Sequence, residues 1–273
     1  MVPEEITIVN LSNYDSVVST SWVSCLKPNS QSRIRLFCFP YAGAGSSVYN
    51  AWSNWLLPEI ELFVVNLPGR DARIREAPYR QLQALTVPLS QGMMPYLDKP
   101  FVFFGHSMGS LIGFEVAREL RRRAESQPLH LFVSGRKPPD APATHPNLYY
   151  LPEEEFLQAA QQLYGSLPEV ILQDPELVNL FLSMMRADVT MLETYEYKEE
   201  APLDCPITVY GGDQDRSVDE QILAHWEAHT LTTFRLKMFP GEHFFIQTAR
   251  SVVLRELNME LAGLLKGLDR ENV

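Results

Sequence analysis

The chain has 273 residues, a length that suits one sizeable domain or one domain carrying an insertion. Its 45% hydrophobic and 21% charged composition excludes wholesale disorder, and a chain this long buries roughly three quarters of its unfolded surface without a metal or disulfide staple. Lys and Arg total 23 against 34 Asp and Glu, a net charge of −11, which argues against nucleic acid or an anionic membrane as partner because both reward clustered positive charge.

Residues 1–30 are polar, rich in Ser and Asn and weakly periodic, and are expected to form an extension that Trp22 and Val23 could anchor. From Ile34 a regular alternation begins. Short apolar runs at Ile34–Phe39, Leu62–Asn66, Phe101–Gly105, Leu129–Gly135, Ile207–Gly212 and Phe234–Phe239 are expected to be strands, most of them rich in Val, Ile and Phe and bounded by Pro or Gly. Segments between them carry helical spacing, as at Leu111, Phe114, Glu115, Arg118 and Arg122. Strands alternating with helices predict an α/β fold, a mostly parallel sheet covered on both faces.

The alternation breaks between Pro138 and Ala201, where two helical patterns replace any strand. One follows Leu151-Pro152, with Glu153, Glu154 and Glu155 in its first turn, where acidic residues complement the helix dipole. The other runs from about Pro175 to Tyr195, with Leu177, Leu180, Phe181, Met184 and Met185 as its apolar face. Residues 31–137 and 202–273 are therefore expected to form the core, and 138–201 a helical lid inserted into it.

Cys25, Cys38 and Cys205 are odd in number, far apart and without metal-ligand spacing, so they read as reduced thiols. The N-terminal MVPEEITIVN lacks a basic region followed by an apolar run, and no stretch of about 18 apolar residues occurs. A soluble, cytoplasmic protein is expected.

The strongest local signal is GHSMG, Gly105 to Gly109, directly after a strand pattern and before a helix. This is the context of a nucleophile elbow, in which Ser107 sits on a sharp turn and the glycines remove colliding Cβ atoms. A serine hydroxyl needs a base to become a useful nucleophile. Of the six histidines, His106 lies inside the elbow, His130 in a buried strand pattern, and His225 and His229 together on a helical segment; His145 is the fifth. His243, in the FPGEHFF loop after the last strand pattern, is the best base, because sheet-end loops are where α/β folds place reactive groups. The acid that orients it should lie between the two in the chain, and DQDRSV after Ile207–Gly212 offers Asp213 and Asp215. Asp215 is preferred, with Asp213 left to cap the turn or the next helix. Acyl transfer further requires two backbone N–H groups aimed at a developing oxyanion. Met108 supplies one, and the second should come from the small-residue loop Phe39–Ser47.

Taken together, FCFPYAGAG, LPGRDARI, GHSMGS, LYYLPEEEF, MRADVTMLETYEY, PLDCPITVYGGDQD and FPGEHFF resemble the type II thioesterases that accompany polyketide and nonribosomal peptide synthetases. The resemblance spans roughly Trp22 to Leu265. It implies an α/β-hydrolase fold with a helical lid, and hydrolysis of stalled acyl groups from the phosphopantetheine arm of carrier proteins. It places the nucleophile on Ser107, the acid on Asp215, the base on His243, and the oxyanion donors on the backbone of Met108 and Ala42, with Tyr41 the alternative to Ala42. It implies acyl or peptidyl carrier protein domains as partners; no metal, no organic cofactor, and no nucleic acid or membrane partner are expected, and the protein is expected to be a monomer. Arg186 and Asp188, within an otherwise apolar lid helix, are expected to pair with neighbouring loops.

An acidic enzyme meeting an acidic carrier needs local positive charge. Arg70, Arg73 and Arg75, or the run Arg121-Arg122-Arg123, are the candidate surfaces, the latter equally suited to a helix C-terminus. A small-molecule esterase, an acyltransferase and a non-catalytic carrier-binding module are the competing functions; the intact Ser107, Asp215 and His243 set disfavours the last.

Overall fold

The computed structural model describes residues 21–142, 148–164 and 174–271. Seven strands form one sheet: β1 (Val23–Lys27), β2 (Ile34–Phe39), β3 (Ile60–Val65), β4 (Phe101–His106), β5 (His130–Ser134), β6 (Ile207–Gly212) and β7 (Phe234–Phe239). Their order is β1-β3-β2-β4-β5-β6-β7, with β1 antiparallel to β3 and every other pair parallel.

The apolar runs are continuous because both faces of the sheet are covered, so successive side chains enter different cores. Phe37, Phe39, Phe101, Phe103, Leu131, Val133 and Val209 point to one side, where α1 (Leu82–Met93) and α2 (Met108–Arg122) pack. Leu36, Cys38, Val102, Phe104, Phe132 and Tyr210 point to the other, against Trp52 and α7 (Arg250–Glu271). Two short helices complete the core, α5 (Glu220–Ala224) and α6 (Phe245–Thr248).

The boundary expected at residue 30 is displaced. Val23–Lys27 is a strand of the sheet, pairing Val23 with Val65 and Cys25 with Phe63, and Val23 is fully buried. Its register shifts between Cys25 and Lys27, and apart from Val23 the strand is half-buried. A short, irregular edge strand has neither the alternation nor the apolar run that marks its neighbours. The rest of the expected extension, 1–20, lies outside the described residues.

Between β5 and β6 no strand occurs among the described residues; α3 (Glu153–Tyr164) and α4 (Pro175–Glu193) fill the segment. Asp174 caps α4, its Oδ1 accepting from the Glu176 N–H at 2.9 Å, with Pro175 at the first helical position. The buried face of α4 differs from the expected one. Met184 and Met185 are buried, as are Leu182, Ala187, Asp188, Val189 and Met191, whereas Leu177 and Leu180 are 42% and 46% exposed. Val178 and Phe181 are partly buried against the core, so the expected face packs in part, with Leu177 and Leu180 turned outward.

The chain leaving α4 is fastened to α2. Tyr195 donates to Glu115 at 2.8 Å, and Arg121 donates to the Pro202 carbonyl at 2.8 Å. Arg121 and Arg122 also pair with Glu200, and Arg122 and Arg123 with Glu119. The arginine run considered above as a docking surface is therefore engaged with its own protein's carboxylates. Among the described residues no helix is long and apolar enough to cross a membrane.

Because β1 belongs to the sheet, Val23→Ala should lower the unfolding free energy by about 2 kcal/mol in urea denaturation, the cost of two buried methyl groups. A residue in a loosely packed extension would show no change.

Candidate active site

Ser107 joins β4 to α2 with φ 52° and ψ −114°, a conformation rarely taken by residues with a side chain and one that costs about 1–3 kcal/mol unless surrounding contacts impose it. Those contacts are present. The Ser107 N–H donates to the Ser134 carbonyl on β5 at 2.7 Å. The Ser110 Oγ lies 2.8 Å from the Gly105 carbonyl and 3.0 Å from that of Ser134, and accepts from the Ser134 N–H at 3.0 Å. A methyl group on Gly105 would overlap the Gly109 carbonyl, and one on Gly109 the Phe39 carbonyl. Strand, helix and the β2 exit loop therefore meet at backbone distance, which explains both glycines of the motif.

The expected base and acid lie on loops at the carboxyl ends of β7 and β6. His243 Nδ1 is 2.7 Å from Asp215 Oδ2, and the Asp215 side chain is almost fully buried. The other carboxylate oxygen, Oδ1, accepts from the Ser217 N–H at 2.8 Å and the Ser217 hydroxyl at 2.6 Å. Burial pushes the Asp215 carboxyl up, but the His243 hydrogen bond and charge, with the two Ser217 donors, outweigh it and hold the group below its ordinary value. Asp215 thus stays ionised and can orient an imidazole. Asp213 accepts the Gly241 N–H at 2.9 Å, so it shapes the turn that carries His243, the capping role expected of it.

Ser107 and His243 come to the same end of the sheet. The His243 ring lies 5.1 Å from that of His106, the neighbour of Ser107. The hydrogen bonds of His243 run from Nδ1, to Asp215 and at 3.3 Å to Ser217, leaving Nε2 without a partner among the described residues. His106 itself is fully buried, with Nδ1 2.9 Å from Ser134 Oγ, and burial holds its pKa well below the usual imidazole value. A neutral ring is thereby kept beside His243.

The start of α2 and the loop after β2 lie against each other, with Gly109 packed on the Phe39 carbonyl. Met108 opens α2, where the first N–H groups have no intrahelical acceptor. The loop after β2 turns through Tyr41–Ala44: Ala44 N–H donates to the Tyr41 carbonyl at 3.1 Å, and Gly43 has φ +77°, as a type II turn requires at its third position. Gly43 N–H is taken by Asp188 Oδ2 at 2.8 Å. Among the described residues, the N–H groups of Tyr41 and Ala42 remain unpaired.

The other histidines are accounted for. His130 Nε2 is 2.8 Å from Thr208 Oγ1 inside the sheet, His225 is exposed, and His229 is buried 3.0 Å from Asp140; His145 lies outside the described residues. No cluster of three metal-ligating side chains occurs among the described residues.

The arginines expected near the site are redistributed. Arg70 is buried and pairs with Asp188 at 2.6 Å. Arg73 pairs with Glu76, donates to the Asn66 carbonyl at 3.0 Å and lies 4.1 Å over the Trp22 ring. Only Arg75 of the three is exposed and free of a carboxylate among the described residues. Asp188 makes the expected ion pair, but Arg186 does not. It donates to the carbonyls of Tyr149 and Leu151 at 3.0 and 2.7 Å and stacks on Phe156. Ser217 was not singled out from the sequence, although a serine two residues after an aspartate is a common turn signal.

A parallel sheet with a strained serine between strand and helix, and an Asp–His pair on later loops, defines the α/β-hydrolase class of fold. A thioesterase-domain family model matches residues 34–261. The gramicidin S biosynthesis protein GrsT of Aneurinibacillus migulanus is 41% identical over 229 residues, covering 84% of this chain and 89% of that protein. The type II thioesterase BorB of the borrelidin biosynthetic cluster superposes with a TM-score of 0.80 at 31% identity, covering 89% of this chain and 98% of that one. RedJ, a thioesterase of the prodiginine pathway in Streptomyces coelicolor, gives 0.78 at 32% identity, covering 84% and 91%. The chain belongs to the thioesterase family, and the resemblance to type II thioesterases and the α/β-hydrolase fold are both borne out.

If Asp215 orients the base, Asp215→Asn should reduce thioester hydrolysis by roughly 10³–10⁴-fold, because an amide can leave the imidazole in the wrong tautomer. Asp213→Asn should cost about tenfold or less, since it loosens a turn and not the imidazole. Steady-state kcat on an acyl thioester, measured on variants of matched circular dichroism, checks the ranking.

Proposed function

We propose that the protein is a type II thioesterase that hydrolyses acyl groups from the phosphopantetheine arm of carrier protein domains in polyketide or nonribosomal peptide synthesis. The observation that carries the reading is the 2.7 Å Asp215–His243 contact at the sheet end that bears Ser107 on its strained turn.

In this mechanism His243 Nε2 accepts the Ser107 proton as Oγ attacks the thioester carbonyl. The oxyanion is held by the N–H groups of Met108 and Ala42; the neighbouring Gly43 N–H is committed to Asp188, which supports a donor earlier in the turn. The tetrahedral intermediate expels the phosphopantetheine thiol, which takes the proton from His243. Water, deprotonated by the same histidine, then releases the acid and regenerates Ser107. Every proton is handled by these side chains, so the cycle calls for neither a metal nor an organic cofactor. Residues 138–201 act as a lid, with Leu177 and Leu180 of α4 exposed on it. Among the basic residues considered for docking, Arg75 is the one left to meet an acidic carrier. The names of the relatives, drawn from gramicidin, borrelidin and prodiginine biosynthesis, support the same reading.

Ser107→Ala should abolish acyl-enzyme formation and lower turnover by roughly 10⁴-fold or more, since the three side chains act as a unit. The substrate class is tested with one acyl chain presented on a carrier protein, on pantetheine and as an oxygen ester, at matched salt. The carrier-bound thioester should give the highest kcat/KM, because contacts remote from the carbonyl position it over Ser107. Equal values across the three would point to a general esterase.

A further inference from the structure

Asp188 is the one acidic side chain of the described part of α4 that is fully buried. Its two oxygens are spent on two targets: Oδ1 meets Arg70 Nη2 at 2.6 Å, and Oδ2 meets Arg70 Nη1 at 2.9 Å and the Gly43 N–H at 2.8 Å. Arg70 in turn donates to the Ala44 carbonyl at 3.0 Å. Its neighbour Asp71 accepts from the Ser46 N–H at 2.7 Å and the Ser46 hydroxyl at 3.0 Å. The turn that carries Ala42 is thus pinned by side chains 25 to 145 residues away in the chain. Helix α4 closes over it as well: a methyl group on Gly43 would lie 3.0 Å from Met185 Sδ and 3.5 Å from the Phe181 ring. Phe181, Met185 and Asp188 follow helical spacing, so one face of α4 covers the turn.

Peptide planarity turns these bonds into an aiming device. The Ala42 N–H belongs to the same peptide unit as the Tyr41 carbonyl and points away from it. The Ala44–Tyr41 bond sets that unit, and the Asp188–Gly43 bond sets the next. Rotation of the central peptide alone would leave the flanking Ala42 N–H in place; what the Arg70–Asp188 pair fixes is the seat of the whole turn, through the Gly43 N–H and the Ala44 carbonyl, and without it the turn can shift against Ser107 and carry the Ala42 N–H with it. A buried ion pair is a poor source of stability compared with packed apolar side chains, so conformational specification is the better account of a charge in this place.

We infer that Asp188, held by Arg70, is a positioning residue that aims the Ala42 N–H at the oxyanion and makes its alignment depend on the seating of α4. The inference rests on the reading of Ser107 and Ala42 given under Proposed function.

The test compares the parent with Arg70→Met/Asp188→Leu, which replaces both charges with apolar side chains, and with Arg70→Lys, which keeps the charge but loses the two-pronged contact. Kinetics on an acyl-pantetheine are paired with the affinity of an alkyl boronic acid, whose tetrahedral adduct places an oxygen where the oxyanion forms. The double variant should lose kcat by roughly ten- to a hundredfold with KM nearly unchanged, and boronate affinity should fall in proportion. Arg70→Lys should show the same pattern at a few-fold, and it decides the matter if the double variant does not fold. A folded variant with parental kcat and boronate affinity, or a change confined to KM, would overturn the inference. Fluorophosphonate labelling of the parent separates the two levels: label on a residue other than Ser107 removes the site reading and the inference with it. Label on Ser107 with unmoved kinetics in the variants removes the inference alone.

Discussion

The backbone at Ser107 is the constraint on which the rest of the molecule depends. A residue with a side chain is held at φ 52° between β4 and α2, and nothing local favours that conformation. It persists because β5 lends the Ser134 carbonyl to its N–H, because Ser110 ties the helix back to both strands, and because Gly105 and Gly109 let three backbone segments touch. The order β2-β4-β5 at the centre of the sheet is what brings these partners together. The same crowding aligns the first turn of α2 beside the loop after β2, so the two backbone donors proposed for the oxyanion come from elements that are already in contact.

Charge in this protein is turned largely inward around the site. A net charge of −11 suggests a surface repelling any acidic partner, and the arginines that might soften it are mostly engaged. Arg118, Arg121, Arg122 and Arg123 bind Glu115, Glu119 and Glu200 and so fasten the chain after α4 onto α2. Arg70 is consumed by Asp188 and Arg73 by Glu76. The Arg70–Asp188 pair and the contacts to Glu200 join segments that the sequence keeps far apart, tying the later part of α4 to the turn after β2 and the chain beyond it to the elbow helix.

Most strands of the core were legible because each is an apolar run closed by Pro or Gly, and burial on both faces imposes that composition; β7, at the sheet edge, carries Arg235 and Lys237 and is only partly buried. The elbow was legible for a related reason: Gly105, Ser107 and Gly109 answer to steric demands within five consecutive residues. His243 and Asp215 could be reached by chain order and by their places at strand ends. The edge strand Val23–Lys27 was not, because half-burial and a register shift erase its pattern. Two members of the expected apolar face of α4, Leu177 and Leu180, were misassigned for a comparable reason, whereas Phe181, Met184 and Met185 pack inward. Leu177, Leu180 and Met184 satisfy helical spacing equally well, and spacing alone does not say which positions of a helix meet the core.

By itself, then, the sequence determined an α/β fold and the serine turn, and offered the residues proposed to activate that serine, since those features depend on neighbours a few positions away or on repeated local patterns. Only the tertiary structure decided which charges meet. Whether Arg70 faces solvent or Asp188, whether Arg186 binds carbonyls or a carboxylate, and whether the Gly43 N–H is free or occupied are pairings across 35 to 145 residues. The side chains of arginine and aspartate look the same in a sequence whether exposed or buried. Their partners are chosen by how the sheet and the inserted helices bring distant segments together, and that choice leaves no local pattern to read.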